Sequence, residues 1–427
     1  MTRTLAPVAA LLFAVALLLT GNGLLGTLIP VRAQIEDFSI FSIGLLGSTY
    51  FVGFASGCFY GPRLVQRVGH IRTFTAMAAI VSAVVLGHGM VVLPLPWWVM
   101  RVLTGFCFAV LYIVIESWLN ERSTNETRGT VLSAYLVINL TVMTVGQMMI
   151  TLSDPAGLGL FALASILVSI AAVPVALSVS TAPRPIETVQ LRLKKIFATS
   201  PVAFTACVAV GLSNGAFWTL GPLFVQRAGF DVGGVALFMS ATVLGGALGQ
   251  WPVGRLSDKT DRAQLIVWVA LAAAVLGVAV VGAGFLSLYW LLLAAACWGA
   301  VAFPLYAVAV AQANDHAQPT EFVEVSSGML LAYAAGAVIG PVIATVFMKL
   351  IAIGGLYVFT ISVHLLLVVY AWRQLALETR VAAGEHLLSA SQALQSSATV
   401  STVFDSQMQV SEPGPSEPRP DSSHDPG

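Results

Sequence analysis

Charge is scarce in this chain. Only 9% of its 427 residues are Asp, Glu, Lys or Arg, against about 25% in an average soluble domain. Too few charges are present to build a water-facing surface, which excludes a soluble globular fold. The 20 basic residues cancel the 20 acidic ones, so no basic field exists to attract nucleic acid. The four cysteines, Cys58, Cys107, Cys207 and Cys297, stand singly in apolar runs. They show neither the paired spacing of a metal site nor the framework of a disulfide-rich secreted domain. No phosphate-binding loop, dinucleotide fingerprint or metal motif occurs, so no cofactor is expected and ATP is not the driving force. An enzyme inside a membrane needs several ionisable groups at one depth, and only Arg101 and Glu116 are available.

What the chain has in abundance is apolar length. Hydrophobic residues make up 57% of it, and the mean hydropathy is +0.88. Twelve stretches are long enough to cross a bilayer, from Leu5–Ile29 to Leu356–Ala371. Their continuous runs, with little alternation, indicate helices rather than barrel strands. The expected fold class is all-α membrane protein, with twelve transmembrane helices in two pseudo-symmetric six-helix bundles. Pro30, Pro62, Pro94, Pro155, Pro201, Pro222 and Pro252 are expected near helix ends, and Pro174, Pro304 and Pro341 inside helices as kinks. Arg3, the apolar run after it and Ala14-Val15-Ala16 fit a cleaved leader by pattern. The run continues to Ile29, however, and the repeat described below needs it, so it is read as a retained span.

Basic residues are distributed unevenly. Sixteen of the 20 fall on the side of the termini, leaving Arg32, Arg227 and Lys349 opposite and Arg101 within a span. The positive-inside rule then places both termini in the cytoplasm of a multi-pass inner-membrane protein. Residues 1–180 form an N-terminal six-helix bundle, 181–200 a cytoplasmic central loop and 201–373 a C-terminal six-helix bundle. Residues 374–427 are a polar tail, read as disordered, with Leu375–Leu388 as a short amphipathic helix.

The halves are related in sequence. At an offset of 192, Asn22-Gly23 falls on Asn214-Gly215, Thr27-Leu28 on Thr219-Leu220, Pro30 on Pro222 and Arg63-Leu64 on Arg255-Leu256. The match runs to 14 identities over 43 positions, where about four or five are expected by chance. At an offset of 194, Gly105, Leu111-Tyr112, Asn120 and Gly146 fall on Gly299, Leu305-Tyr306, Asn314 and Gly340. A parallel repeat of six spans suits two bundles that rock about a shared midplane site.

Three motifs carry a family resemblance. The segment Gly61-Pro62-Arg63-Leu64-Val65-Gln66-Arg67-Val68-Gly69-His70-Ile71-Arg72 follows the second span. Gly254-Arg255-Leu256-Ser257-Asp258-Lys259-Thr260-Asp261-Arg262 follows the eighth. Arg101-Val102-Leu103-Thr104-Gly105 lies in the fourth. Together they resemble the signatures of the major facilitator superfamily (MFS) over residues 5–373, and Glu116-Ser117-Trp118-Leu119-Asn120 resembles a poorly characterised bacterial branch. Gln66 stands where the family has aspartate and Asp261 where it has glycine. The gate role implied by the family's motif therefore rests on Arg63, Arg67 and Gly69 in the first loop and on Gly254, Arg255, Asp258 and Lys259 in the second. The resemblance implies a secondary transporter that carries a small organic solute by alternating access, with proton coupling and a monomeric state. The other readings are a drug/proton antiporter and a non-transporting membrane sensor. The antiporter's glycine–proline pattern belongs in the fifth span; in this chain it occurs in the eleventh, as Gly336, Gly340 and Pro341.

Glu116 is the one carboxylate placed inside a span, where desolvation suits proton binding and release; the competing role is an ion pair with Arg122 or Arg128. Arg101 is expected either to meet an anionic group or to snorkel to the interface. Asn22 and Asn214, with Thr27, Thr219, Trp218, Tyr112, Tyr306 and Trp298, are expected to line a polar, aromatic-walled substrate site or to bond between helices. Gln147 and Asn139 are weaker candidates. His88 and His364 read as structural, and the glycine-rich runs as packing or bending devices.

Overall fold

The structure, a computed structural model, describes residues 9–121, 123, 128–177, 193–318, 321–351 and 354–377. Among the described residues, twelve helices are long and apolar enough to cross a membrane. They are α1 (Ala9–Ile35), α2 (Ile40–Val68), α3 (His70–Met90), α4 (Pro94–Glu121), α5 (Arg128–Met148, continued by a 3₁₀ turn Met149–Leu152) and α6 (Gly159–Ala176) in the first half. The second half has α7 (Pro201–Arg227), α8 (Val232–Ser257), α9 (Arg262–Ala283), α10 (Leu288–Asp315), α11 (Phe322–Leu350) and α12 (Gly355–Leu377). A short connecting helix, Leu193–Thr199, precedes α7. No strand occurs among the described residues. Hydrocarbon offers the backbone no partner, so every span satisfies its own N–H and C=O groups as helix. Thr49, Thr104 and Thr242 follow suit, each hydroxyl donating to a carbonyl four residues back. Residues 373–427 form a separate unit, described only through the end of α12. Arg122, residues 181–192 of the central loop, the tail from 378 onward and most of Leu375–Leu388 lie outside the described residues.

The helices run further than hydropathy indicates. Pro30, Pro62, Pro222 and Pro252 therefore fall inside helices and not at their ends. Apolar content marks the hydrocarbon depth, whereas the helical hydrogen bonds continue into the interface. Among the spans, only α10 is broken at a proline. Its two pieces are Leu288–Ala302 and Leu305–Asp315, separated at Phe303-Pro304.

The repeat seen in sequence reappears as packing. A Cβ on Gly53 or Gly57 of α2 would strike the carbonyl of Val102 or Phe106 on α4; on Gly245 or Gly249 of α8 it would strike that of Ala296 or Ala300 on α10. Gly105 and Gly299 close the same contacts from the other side, against Tyr50 and Thr242. Gly146 and Gly340 bring α5 onto Thr20 of α1 and α11 onto Leu212 of α7. Each first residue is related to its counterpart by 192 and each second by 194, or the reverse. Small residues here let helix backbones touch where no hydrophobic effect draws them together. The corners match as well: Ser39 caps α2 and Asp231 caps α8. One departure is local. Gly69 turns the chain at φ +89°, a conformation suited to glycine, while its counterpart Asp261 sits at φ −59° and caps α9.

α1 and α7 are the most enclosed spans. The two halves meet along α2 with α11, α5 with α8 and α1 with α7. Gly69 and Asp258 lie at one end of the molecule, the basic end; the opposite one is the far end. Gly44 on α2 meets Thr345 and Pro341 of α11, Gly47 meets Thr219 of α7, and Ser240 of α8 lies 3.5 Å from Gln147 of α5. All of these contacts belong to the far half of the spans.

Candidate functional site

Below that far-side seal, polar and aromatic side chains from both halves converge. α4 presents Arg101, Tyr112 and Glu116 along its length. Arg101 is half-buried. Its Nε donates to the Leu46 carbonyl at 3.2 Å, and its guanidinium lies over the Tyr50 ring, 4.3 Å from the centroid. No carboxylate pairs with it among the described residues. Tyr50 lies within electrostatic reach of Tyr112 on its own half and Tyr333 on the other. Asn22 of α1 lies beside the Tyr112 hydroxyl of α4, and Asn214 of α7 beside that of Tyr333 of α11. Tyr135 and Asn139 form a third such pair within α5. The Tyr306 and Tyr333 rings meet edge to face with centroids 5.3 Å apart.

Glu116 is exposed, yet its charge acts on Cys58 of α2, Tyr112 of α4, Tyr135 of α5 and Tyr306 of α10. A side chain ringed by groups from four helices and still open to solvent faces a space between the bundles, not lipid. Tyr50, Tyr112, Tyr306, Tyr333, Asn22 and Trp218 are all half-exposed. The arrangement offers a carboxylate able to hold a proton, a fixed cation deeper in, and tyrosine and asparagine hydrogen-bonding groups between them.

Several expected site residues lie elsewhere. Trp298 is fully buried, packed against Phe217, Phe303 and Tyr357 inside the second bundle. Its position on α10 faces the bundle core. Thr27 is also fully buried. Thr219 donates to the Gly215 carbonyl and packs on Gly47 in the seal. Trp218 stays beside the cavity, stacked on Phe303 at 5.7 Å and 19°. Tyr50, Tyr135 and Tyr333 escaped the sequence reading; a tyrosine beside phenylalanine, as Tyr50 is beside Phe51, reads as lipid-facing aromatic mass. His88 and His364 are buried, each with Nδ1 near the carbonyl four residues back, as structural histidines would be.

The loop motifs occupy the basic end. Arg63 lies 4.9 Å over the Phe59 ring and its counterpart Arg255 5.1 Å over Trp251. Arg67 and Lys259 are exposed, and Gly254 faces open space. Asp258 is 3.4 Å from Arg262, which also donates to Ser257 and pairs with Asp315 at the end of α10. A cleft between α8 and α10 is lined by Asp258, Arg262 and Pro304. The matching place in the first half holds His70, bonded to Ser117 at 2.8 Å and within electrostatic reach of Glu121. In each half, then, the start of the third helix is clamped to the end of the fourth.

Twin six-helix bundles related by a parallel repeat, enclosing a shared polar space, define the fold of a secondary transporter. The chain belongs to the Major Facilitator Superfamily, whose model matches residues 11–341. An uncharacterized MFS-type transporter of Enterobacter sp. (strain 638) is 26% identical over 383 residues, covering 89% of this chain and 97% of that one. The crystal structure of the nucleoside transporter NupG superposes with a TM-score of 0.71 at 14% identity, over 86% of this chain and 97% of that one. A bacterial homolog of the human lysosomal transporter Spinster, in an inward-facing and occupied conformation, gives 0.67 at 15% identity, over 87% and 97%. At these identities the solved structures establish the fold alone.

Proposed function

We propose that this MFS member moves a small organic solute across the cytoplasmic membrane by alternating access, with transport linked to protons through Glu116. The observation that carries the reading is the pairing of a far-side seal with a half-exposed ring of polar groups drawn from both bundles. Such a space is accessible from one side only, and rocking of the bundles exchanges the side. The positive-inside rule makes the basic end cytoplasmic, so the state seen is inward-facing and both termini lie inside. The halves divide as 1–180 and 201–373, joined by 181–200 and followed by a tail from 374, and the working unit is a monomer. Asn22, Tyr112, Asn214, Tyr306, Arg101 and Trp218 line the solute path, with Tyr50 and Tyr333 added to it. The loop-motif residues Arg63, Arg67, Gly69, Gly254, Arg255, Asp258 and Lys259 belong to the gate on the basic side.

Glu116 suits coupling because it meets water in this state and would be enclosed once the basic side closes. The glycine–proline pattern of α11 does not by itself favour drug efflux: Gly336 and Gly340 are accounted for by contact with Val208 and Leu212 of α7. A thermal-shift screen of metabolites and drugs on the purified protein identifies a ligand by stabilisation. Counterflow of that ligand in proteoliposomes then tests transport, and binding without counterflow favours a sensor. Glu116→Gln is expected to abolish acceleration by a proton gradient while leaving counterflow intact. An unchanged gradient response removes Glu116 from coupling.

A further inference from the structure

Among the described residues, Arg101 is a cation without a counter-ion. It lies in a membrane-spanning helix, two turns from its far end. Its described contacts are the Nε bond to the Leu46 carbonyl and the stack on Tyr50, and Tyr50 and His88 are the titratable groups within electrostatic reach of it. Neither contact neutralises it. The Nε bond and the ring hold the guanidinium plane still, while the two terminal nitrogens have no protein acceptor among the described bonds. A stacked guanidinium with its terminal fork free is pre-organised for two parallel bonds to a carboxylate, phosphate or sulfonate.

Its position decides what can reach it. Leu46 and Tyr50 belong to the part of α2 that includes Gly44 and Gly47, the residues packed against α11 and α7 in the far-side seal. Arg101 therefore sits at the closed apex of the space between the bundles. Glu116 lies 15 residues further along α4, about 22 Å nearer the open end at 1.5 Å per residue. The two charges are too far apart to pair, and the wall between them is tyrosine and asparagine. Snorkelling to the far interface does not fit the geometry, since the guanidinium is turned onto Tyr50, one turn from Leu46 toward the basic end. An unpaired ionisable group inside a span is costly and marks a ligand pathway.

Resting on the transport reading above, we infer that the transported solute is an organic anion, whose acidic group docks on Arg101 at the apex. Its planar or apolar body lies along Tyr50, Tyr112 and Tyr333. Seating an anion there places the ligand's charge on the residue that joins α4 to the sealing helix α2, so occupancy is felt where the seal must open.

Three-member probe sets that share a scaffold test this on the purified full-length chain: benzoate, benzamide and benzylamine; indole-3-acetate, indole-3-acetamide and tryptamine. The acids are expected to raise the melting temperature while their amides and amines do not. Arg101→Gln should weaken acid binding about 10- to 100-fold, the loss of a charge-assisted pair, whereas Arg101→Lys retains part of it. Labelling with 4-hydroxyphenylglyoxal, located by mass spectrometry, is expected at Arg101 in the wild type and to be suppressed by the bound acid. This second measurement needs no variant to fold. Stabilisation without acid selectivity, no stabilisation by any acid, or acid binding that survives Arg101→Gln overturns the anion site, and leaves counterflow of a neutral solute as evidence for transport. Acid-selective binding through Arg101 without counterflow has the opposite meaning: the site stands and the transport reading falls.

Discussion

Trp298 has no exposed surface, and its ring centroid lies 5.4 Å from those of both Phe217 and Tyr357. Its indole N–H finds no acceptor among the described groups, so the residue contributes volume and ring contacts. Trp298→Ala is therefore expected to cost about 3–5 kcal/mol, and Trp298→Phe much less. Both should bind ligand with wild-type affinity, which thermal unfolding and titration in detergent measure separately. A fall in affinity at unchanged stability would return Trp298 to the cavity wall. Tyr50 is the reverse case. Apolar patterning allows it to face lipid, yet it supports a guanidinium and reaches tyrosines on both halves. Which face of a helix meets a polar cavity is decided by its neighbours, and hydropathy sees both faces alike.

The connecting helix Leu193–Thr199 shows how an element is held without being part of a span. Ile196 is buried and packs on Gly328 of α11, Phe197 meets Phe204 edge to face at 5.5 Å, and Lys195 pairs with Glu321 just before α11. A small pocket lies between this helix and the ends of α10 and α11. The Lys195 hydrogen bond holds the Glu321 carboxyl below its ordinary range. The pairing is thus present above the ordinary carboxylate pKa and is lost as pH falls through the lowered value. Hydrogen-exchange protection factors over 193–199 are expected to fall on acidification below that range, and Glu321→Gln should remove the pH dependence. Equal protection at both pH values in the wild type would mean that the apolar contacts alone hold the helix. The break in α10 belongs to this scale too. Pro304 was legible as a kink, and the structure makes it a full interruption, with Phe303 turned onto Gly246.

At the scale of the whole molecule, the far-side contacts hold the bundles in one orientation. Gln147 and Ser240 face each other across α5 and α8, both buried. In a background with the four native cysteines replaced, Gln147→Cys paired with Ser240→Cys is expected to cross-link under mild oxidation. Counterflow should stop once the link forms and return on reduction. Continued transport by the linked protein would show that the bundles do not part along this line, and alternating access about it would fail.

The chain alone specified twelve spans, their duplication and the signatures of the family, because each is a local or periodic property: apolar length answers to bilayer thickness, and a repeat survives as identities at constant offset. It also marked the glycines later found at α2–α4 and α8–α10, since backbone contact tolerates little else. It offered Asn22, Tyr112, Asn214 and Tyr306 as polar and aromatic candidates for a solute site, since such side chains are rare within spans. Tertiary structure alone decided which aromatic residues face that axis and which fill the bundle cores, exchanging Trp298 for Tyr50 and Tyr333. It also decided which end is sealed. Those outcomes depend on helix rotation and on contacts between residues up to some three hundred positions apart, such as Gly44 with Thr345. An apolar residue satisfies hydrocarbon and protein core equally well, so composition carries no record of the choice.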